Sequence, residues 1–239
     1  MKQRSKRLNK FLICLCIAAT AIVLWILYLY NVIPHRQFSD QSFNVAYTLS
    51  SHDQNKNGID DFIDLWLGAE REAQRAPFYV SAYYEGGYPP STQGVCSDLI
   101  WRAFRDAGYD FKAMIDTDIA ACPNCYPRIH GQSDPNIDFR RVANIRVFLE
   151  RYGEVLTCDL SKIDEWQAGD IVVFADSHIG ILSDVRNHEG IPFLLHNGGL
   201  PKTKEDCLRR EQLLKGISGH YRFQYTEKIE KLLSQREGA

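Results

Sequence analysis

The chain carries no Gly-rich phosphate loop, no internal repeat and no low-complexity tract. Those absences leave a phosphate-cradling NTP site, a repeat array and a disordered polymer without support. Charge is missing outright from residues 11–33, "FLICLCIAATAIVLWILYLYNVI", which are 23 consecutive uncharged positions. Acids are missing from residues 1–10, where Lys2, Arg4, Lys6, Arg7 and Lys10 all fall. Subtracting those five positive charges from the net −2 leaves residues 34–239 at −7. An acidic body argues against a nucleic-acid partner.

What is present is the composition of a folded protein: 45% hydrophobic, 12% aromatic and 24% charged over 239 residues. That length suits one ordinary domain or two small ones, with a sizeable core. The uncharged run is long enough to cross a bilayer as a helix. Trp25, Tyr28 and Tyr30 gather near its far end, as interfacial aromatics do. Ala19, Thr20 and Ala21 have the small-x-small form of a signal cleavage site, but "IVLWILYLY" follows rather than a polar mature start. A retained single-pass anchor is therefore expected, with the basic flank in the cytoplasm and residues 34–239 outside.

Seven cysteines occur. Cys14 and Cys16 sit in the anchor, which leaves Cys96, Cys122, Cys125, Cys158 and Cys207 outside. In an oxidising compartment an odd number leaves at least one thiol free or paired between chains. Cys122 and Cys125 have redox-pair spacing but lie among prolines. A structural bridge drawn from Cys122, Cys125, Cys158 and Cys207 is the stronger expectation, in any of three pairings. Zinc, with His130 as a further ligand, is the alternative.

Residues 34–76 read as a linker followed by a polar loop, "DQNKNGIDDFID", that opens a helix. Oxygen-bearing side chains fall at Asp53, Asn55, Asn57, Asp61 and Asp64, with Gly58 at the sharp turn and the Ile59 carbonyl at the seventh position. This is the spacing of an EF-hand-type calcium loop. A structural calcium is expected there, against the plainer reading of an Asn-Gly turn before an N-capped helix. Residues 91–108 repeat apolar Leu99, Ile100, Ala103, Phe104 and Ala107 at helical spacing, with Cys96 near the helix start. A third helix is expected in "IDFRRVANIRVFLERYG". The period then changes to two in "GDIVVF", "HIGILSD", "IPFLLHN" and "GHYRFQY", and residues 225–239 form a charged terminal helix. Helices followed by an antiparallel meander predict an α+β fold.

A helix N-terminus favours a thiolate through unpaired backbone N–H groups and the helix dipole. Cys96 is thus either a small buried residue or a nucleophile. A hairpin centred on residue 187 sets His178 directly opposite His196, on one face. The pair is either two satisfied core histidines or a base with its orienter, packed against the Cys96 helix.

The order of "GGYPPSTQGVCSDLIWRAFRDAGYD", "NIDFRRVANI", "WQAGDIVVF", "HIGILSD", "LLHNGG" and "ISGHYRF" resembles the NlpC-like, papain-fold cysteine peptidases of bacterial cell walls. It is most similar to an uncharacterised branch of that superfamily, over roughly residues 78–223. The resemblance implies a papain-like domain over residues 77–224, with Cys96 as nucleophile, His178 as base and His196 as orienter. It implies that Tyr84 lines the site, and that no cofactor is needed for catalysis. Val95 and Asp98 depart from the family's Asp before the nucleophile and Gly two after it. Asp98 therefore becomes a candidate for substrate selection, beside Arg140 and Arg141, whose forked donors suit a carboxylate. The resulting expectation is a bacterial inner-membrane, single-pass enzyme hydrolysing an amide in peptidoglycan or another envelope substrate. Acyl or amide transfer on lipid or lipoprotein with the same residues is the second reading, and a silent cell-wall binding module the third.

Overall fold

A computed structural model describes residues 2–129, 131–199 and 203–237. His130, the expected further zinc ligand, lies outside the described residues. The chain divides into two compact units, one up to Arg36 and one from Gln37. The first is built on helix α1, Lys2–Leu29. Its Asn9–Leu29 stretch is long and apolar enough to cross a membrane.

In chain order the second unit carries β1 (Phe38–Ser39), α2 (Asp61–Arg75), β2 (Phe78–Tyr79), β3 (Gln93–Gly94), α3 (Cys96–Asp106), α4 (Phe111–Ala121) and α5 (Val142–Tyr152). There follow β4 (Glu154–Val155), β5 (Ile171–Phe174), β6 (His178–Arg186), β7 (Pro192–Leu195), β8 (Lys204–Glu205), α6 (Leu208–Leu214), β9 (Ile217–Arg222) and α7 (Glu227–Glu237). This is the expected mixture of helices and antiparallel sheet. The sheet runs β4-β9-β5-β6-β7-β8, with β1 paired to the far end of β6. β5, β6 and β7 form the expected meander, and β9 returns to the other side of β5.

Both sheet faces are covered, which is why the strands read as nearly unbroken apolar runs. Ile171, Val173, Ile179 and Ile181 share one core with Leu99, Ile100, Ala103 and Phe104 of α3. Val172, Phe174, Leu182 and Leu194 share the other with Trp166, Cys207 and Leu208, beside α6. Residues 34–76 are not a mere linker. α2 contributes Leu65, Ala69 and Ala73 to the α3 core. It lies so close to α3 that a Cβ on Gly68 would come 2.9 Å from Ala103 Cα. Asp60 caps α2 by accepting from Phe62 N. Helix α4 is absent from the sequence expectations. Asp110 caps it, and Phe111, Met114, Ile115 and Ile119 bury one face.

The β6–β7 register differs from the simple hairpin. Ile181 pairs with Leu195 and Leu182 with Leu194, and the register shifts between Leu182 and Arg186. That bulge moves the pairing by two residues, so His178 and His196 are diagonal neighbours rather than directly opposed. An even shift keeps both on one face. Arg186 pins the irregular end: buried, it donates to the carbonyls of Ile163, Gly190 and Trp166 and pairs with Asp40.

Cys122 and Cys125 form a disulfide. Cys158 and Cys207 do not, contrary to their candidacy; Cys158 is half-buried and Cys207 buried, and both are free thiols. His220 and Arg222 are structural. Both bind Asp170, the acid of the "GD" turn, with Arg222 forking onto it at 2.7 and 2.8 Å.

Candidate active site

Helix α3 begins at Cys96 because the chain arrives extended through Val95. The Val95 N–H donates to Asp98 Oδ2 at 2.7 Å, the acid-to-N-cap half of a capping box. Cys96 is 4% exposed. Backbone N–H groups of Ile179 and Ser97 bond to its sulfur and favour the thiolate. Burial outweighs them: with a smaller push from the Asp98 carboxylate, it drives the thiol up to about 11.

The Ile179 contact sets Cys96 at the start of β6, one residue from His178. His178 Nε2 and His196 Nδ1 are 2.7 Å apart, a full hydrogen bond between buried imidazoles. Burial lowers His178 to about 4, with Lys215 and Arg210 acting the same way and Glu211 opposing them. Burial likewise holds His196 well below the usual histidine range, helped by His178, Arg210 and Lys215. Both rings are therefore neutral near pH 7. His178 pairs across the sheet with Phe174, and their rings are 6.1 Å apart. Strand alternation thus aligns His178 with Phe174 and Leu182, whereas Ile179 and Ile181 face α3. The expected packing of both histidines against α3 is corrected accordingly. Sγ bonds to the backbone beside His178, and neither imidazole is hydrogen-bonded to the thiol.

Asp98 and Tyr84, expected to meet substrate, form the scaffold instead, and Arg140, which does line the cleft beside Cys96, is tied into the same network. Asp98 is fully buried and accepts four bonds: from Val95 N and Trp101 Nε1, and from Arg140 Nε and a terminal Arg140 nitrogen at 2.8 and 2.9 Å. Arg140 also donates to the Ala82 carbonyl and lies over the Tyr84 ring. The Tyr84 hydroxyl donates to Gln93. This network ties the loop before Cys96 to the chain before α5.

The cleft beside Cys96 has a volume of about 380 Å³ and is lined by Tyr79, Val95, Ser97, Arg128, Arg141, Asp176 and Ser177, among others. Arg141, held by Asp138 at 2.9 Å and by the Arg128 carbonyl, does face it as expected. Tyr79 takes the place the resemblance gives to Tyr84. Arg128 and Tyr79 escaped the sequence reading because neither sits in a motif. Their only signal was position: Tyr79 ends β2 shortly before "YYEGG", and Arg128 lies in the loop before "FRRVAN".

In the calcium-loop candidate, Asp53 accepts from Asn57 N and Gly58 N, and the amides of Asn55 and Asn57 converge on Asp64. Asn57 Oδ1 accepts from Ile59 N. Four of the five expected side chains therefore surround the turn. Asp61 does not; it is buried against the Tyr109 hydroxyl at 2.6 Å and Gln54 N at 2.8 Å. An ion would replace the amide–carboxylate bonds with Asn oxygens and would not use Asp61.

Among known proteins, the Uncharacterized protein YijF of Escherichia coli (strain K12) is 35% identical over 153 residues, which is 62% of this chain and 72% of that protein. No solved structure matches. The family described as Domain of unknown function (DUF1287) matches residues 67–223, a span running from α2 to just past β9 and including Cys96, His178 and His196. The chain belongs to that family.

Proposed function

We propose that this protein is a membrane-anchored envelope cysteine hydrolase of the papain-like, NlpC type. The amide bond it cleaves lies in peptidoglycan stem peptides. The observation that carries the reading is local: Cys96 opens α3 with backbone N–H groups on its sulfur, one of them from Ile179, the residue that follows His178 of the hydrogen-bonded His178–His196 pair.

In the proposed reaction His178 takes the Cys96 proton as sulfur attacks the carbonyl carbon. The developing oxyanion lies near the backbone N–H groups at the start of α3. The tetrahedral intermediate collapses when His178 protonates the leaving amine, giving a thioester. Water, deprotonated by His178, then releases the acid and restores the thiol. His196 orients the ring throughout. His178 opens β6 on the sheet face away from α3, so its ring must turn about the end of that strand to reach the sulfur in the first step. Arg128 and Arg141 on the cleft wall suit the carboxylates of a peptide with free acids.

The test is digestion of purified muropeptides by the full chain in detergent micelles, beside Cys96→Ser. New fragments with the wild type alone support the reading; an unchanged muropeptide profile with both removes it.

A further inference from the structure

Behind the His178–His196 pair lies a buried acid that the proposed reaction does not use. His196 is 4% exposed, and its Nε2 is buried without a hydrogen-bond partner. The nearest acidic oxygen is Glu205 Oε2, 3.9 Å away on β8, the strand next to β7. Arg210 donates to the same oxygen at 2.8 Å, a charge-assisted bond that favours the carboxylate form. Arg210 in turn meets Glu211 at 3.2 Å, and Lys215 meets Glu211 at 2.9 Å. A row of alternating charge therefore runs from His196 along α6 to the surface.

Cys207 completes a group in which the ligand atoms of His196, Glu205 and Cys207 all lie within 4.8 Å of one another. Such a group matches a soft divalent cation, but Arg210 already sets a positive charge on the carboxylate oxygen such an ion would need.

Two tautomers of neutral His196 are consistent with its bond to His178. With the proton on Nδ1, the Nε2 lone pair would face a carboxylate, which is repulsive, and the His178 Nε2 would accept. With the proton on Nε2, an N–H dipole faces that carboxylate, and Nδ1 accepts from His178 Nε2–H. Which ring nitrogen carries the proton is set by the partner of the other nitrogen. The Cys207 thiol is the only competing donor in the group, and a weak one.

We propose that Glu205 is a positioning residue that holds His196 as the Nε2–H tautomer, so that His178 Nε2–H donates to His196 Nδ1 and the His196 Nε2–H dipole faces the Glu205 carboxylate. The consequence is directional. His178 is left with its lone pair on Nδ1, the one atom then able to take a proton from Cys96. That consequence rests on the hydrolase reading; the tautomer does not.

The experiment is long-range proton–nitrogen NMR of the histidine rings, on the full chain labelled with 15N-histidine, in micelles near pH 7 and without substrate. His178→Gln and His196→Gln identify the signals. The expected result is a protonated-type shift for His196 Nε2 and an unprotonated-type shift for His196 Nδ1. The reverse pattern overturns the inference, whatever the protein does to muropeptides. Glu205→Gln, which conserves volume and can offer an amide N–H to Nε2, is expected to move His196 towards Nδ1–H. Cys207→Ala is expected to leave the Nε2–H pattern intact; a switch of tautomer on removing that thiol instead overturns the role of Glu205. If muropeptides are cleaved, Glu205→Gln lowers kcat at least tenfold with KM unchanged, and a KM effect alone counts against a positioning role.

Discussion

Arg140→Met separates the scaffold found here from the substrate contact that the sequence suggests. Arg140 and Asp98 side chains are 3% and 1% exposed, and their forked bonds are 2.8 and 2.9 Å. Removing the guanidinium leaves a buried carboxylate with only Val95 N and Trp101 Nε1 as donors. Breaking a buried pair from one side costs about 3–5 kcal/mol, because the surviving charge is stranded. For a unit of this size each kcal/mol lowers Tm by about 2–4 °C, so a drop of roughly 6–20 °C is expected. Circular dichroism melting of the full chain in micelles measures it. Asp98→Asn added to Arg140→Met removes the stranded charge, and the double variant should melt above the sum of the two single losses. A melt within about 2 °C of wild type for Arg140→Met refutes the reasoning. If that unchanged protein had also lost affinity for an acidic substrate, Arg140 would be the ligand after all.

Two further outcomes follow from the site and the loop. Because burial raises the Cys96 thiol from 9.0 to about 11, its thiolate fraction at pH 7 is about a hundredfold below that of a free thiol. Alkylation of Cys96 should therefore be slow at pH 7 and climb between pH 9 and 11; fast labelling near pH 6 would instead reveal a pre-formed thiolate–imidazolium pair. Calcium at a hundred times its Kd should stabilise the second unit by about 2.7 kcal/mol and raise its Tm, with Asp64→Ala abolishing the effect. A melt that calcium does not move assigns the loop to capping α2 alone.

The elements were legible where one local rule dominated. α3 showed its start through the apolar spacing after Cys96, and β5 to β7 through runs covered on both faces. The His178–His196 contact was legible in kind and wrong in register. Its two-residue shift comes from Arg186, whose partners Asp40 and Ile163 lie 146 and 23 residues away in sequence. The role of Asp98 was hidden for the same reason: its fork from Arg140 spans 42 residues. A single sequence shows both charges and gives no reason to pair them. Glu205 was equally silent, since only the folding of β8 against β7 brings it behind His196.

The protonation states give the proposed chemistry its order of events. Burial keeps the thiol and both imidazoles uncharged, and it is the largest influence on each of them. A stable ion pair is thus not the resting form. In the proposed reaction thiol and base become reactive together, when the His178 ring turns about the end of β6 to meet the sulfur. The two N–H groups on Sγ are fixed before that moment, so the thiolate meets its hydrogen bonds without reorganisation. The imidazolium formed at the same instant has no carboxylate bonded directly to it. In the proposed tautomer its Nε2–H bonds to His196, and the Glu205 carboxylate lies 3.9 Å behind His196, at the inner end of the α6 charge row. On the proposed reading the acid behind the pair, rather than the pair alone, is what lets a base as weak as His178 accept a proton from a thiol as reluctant as Cys96.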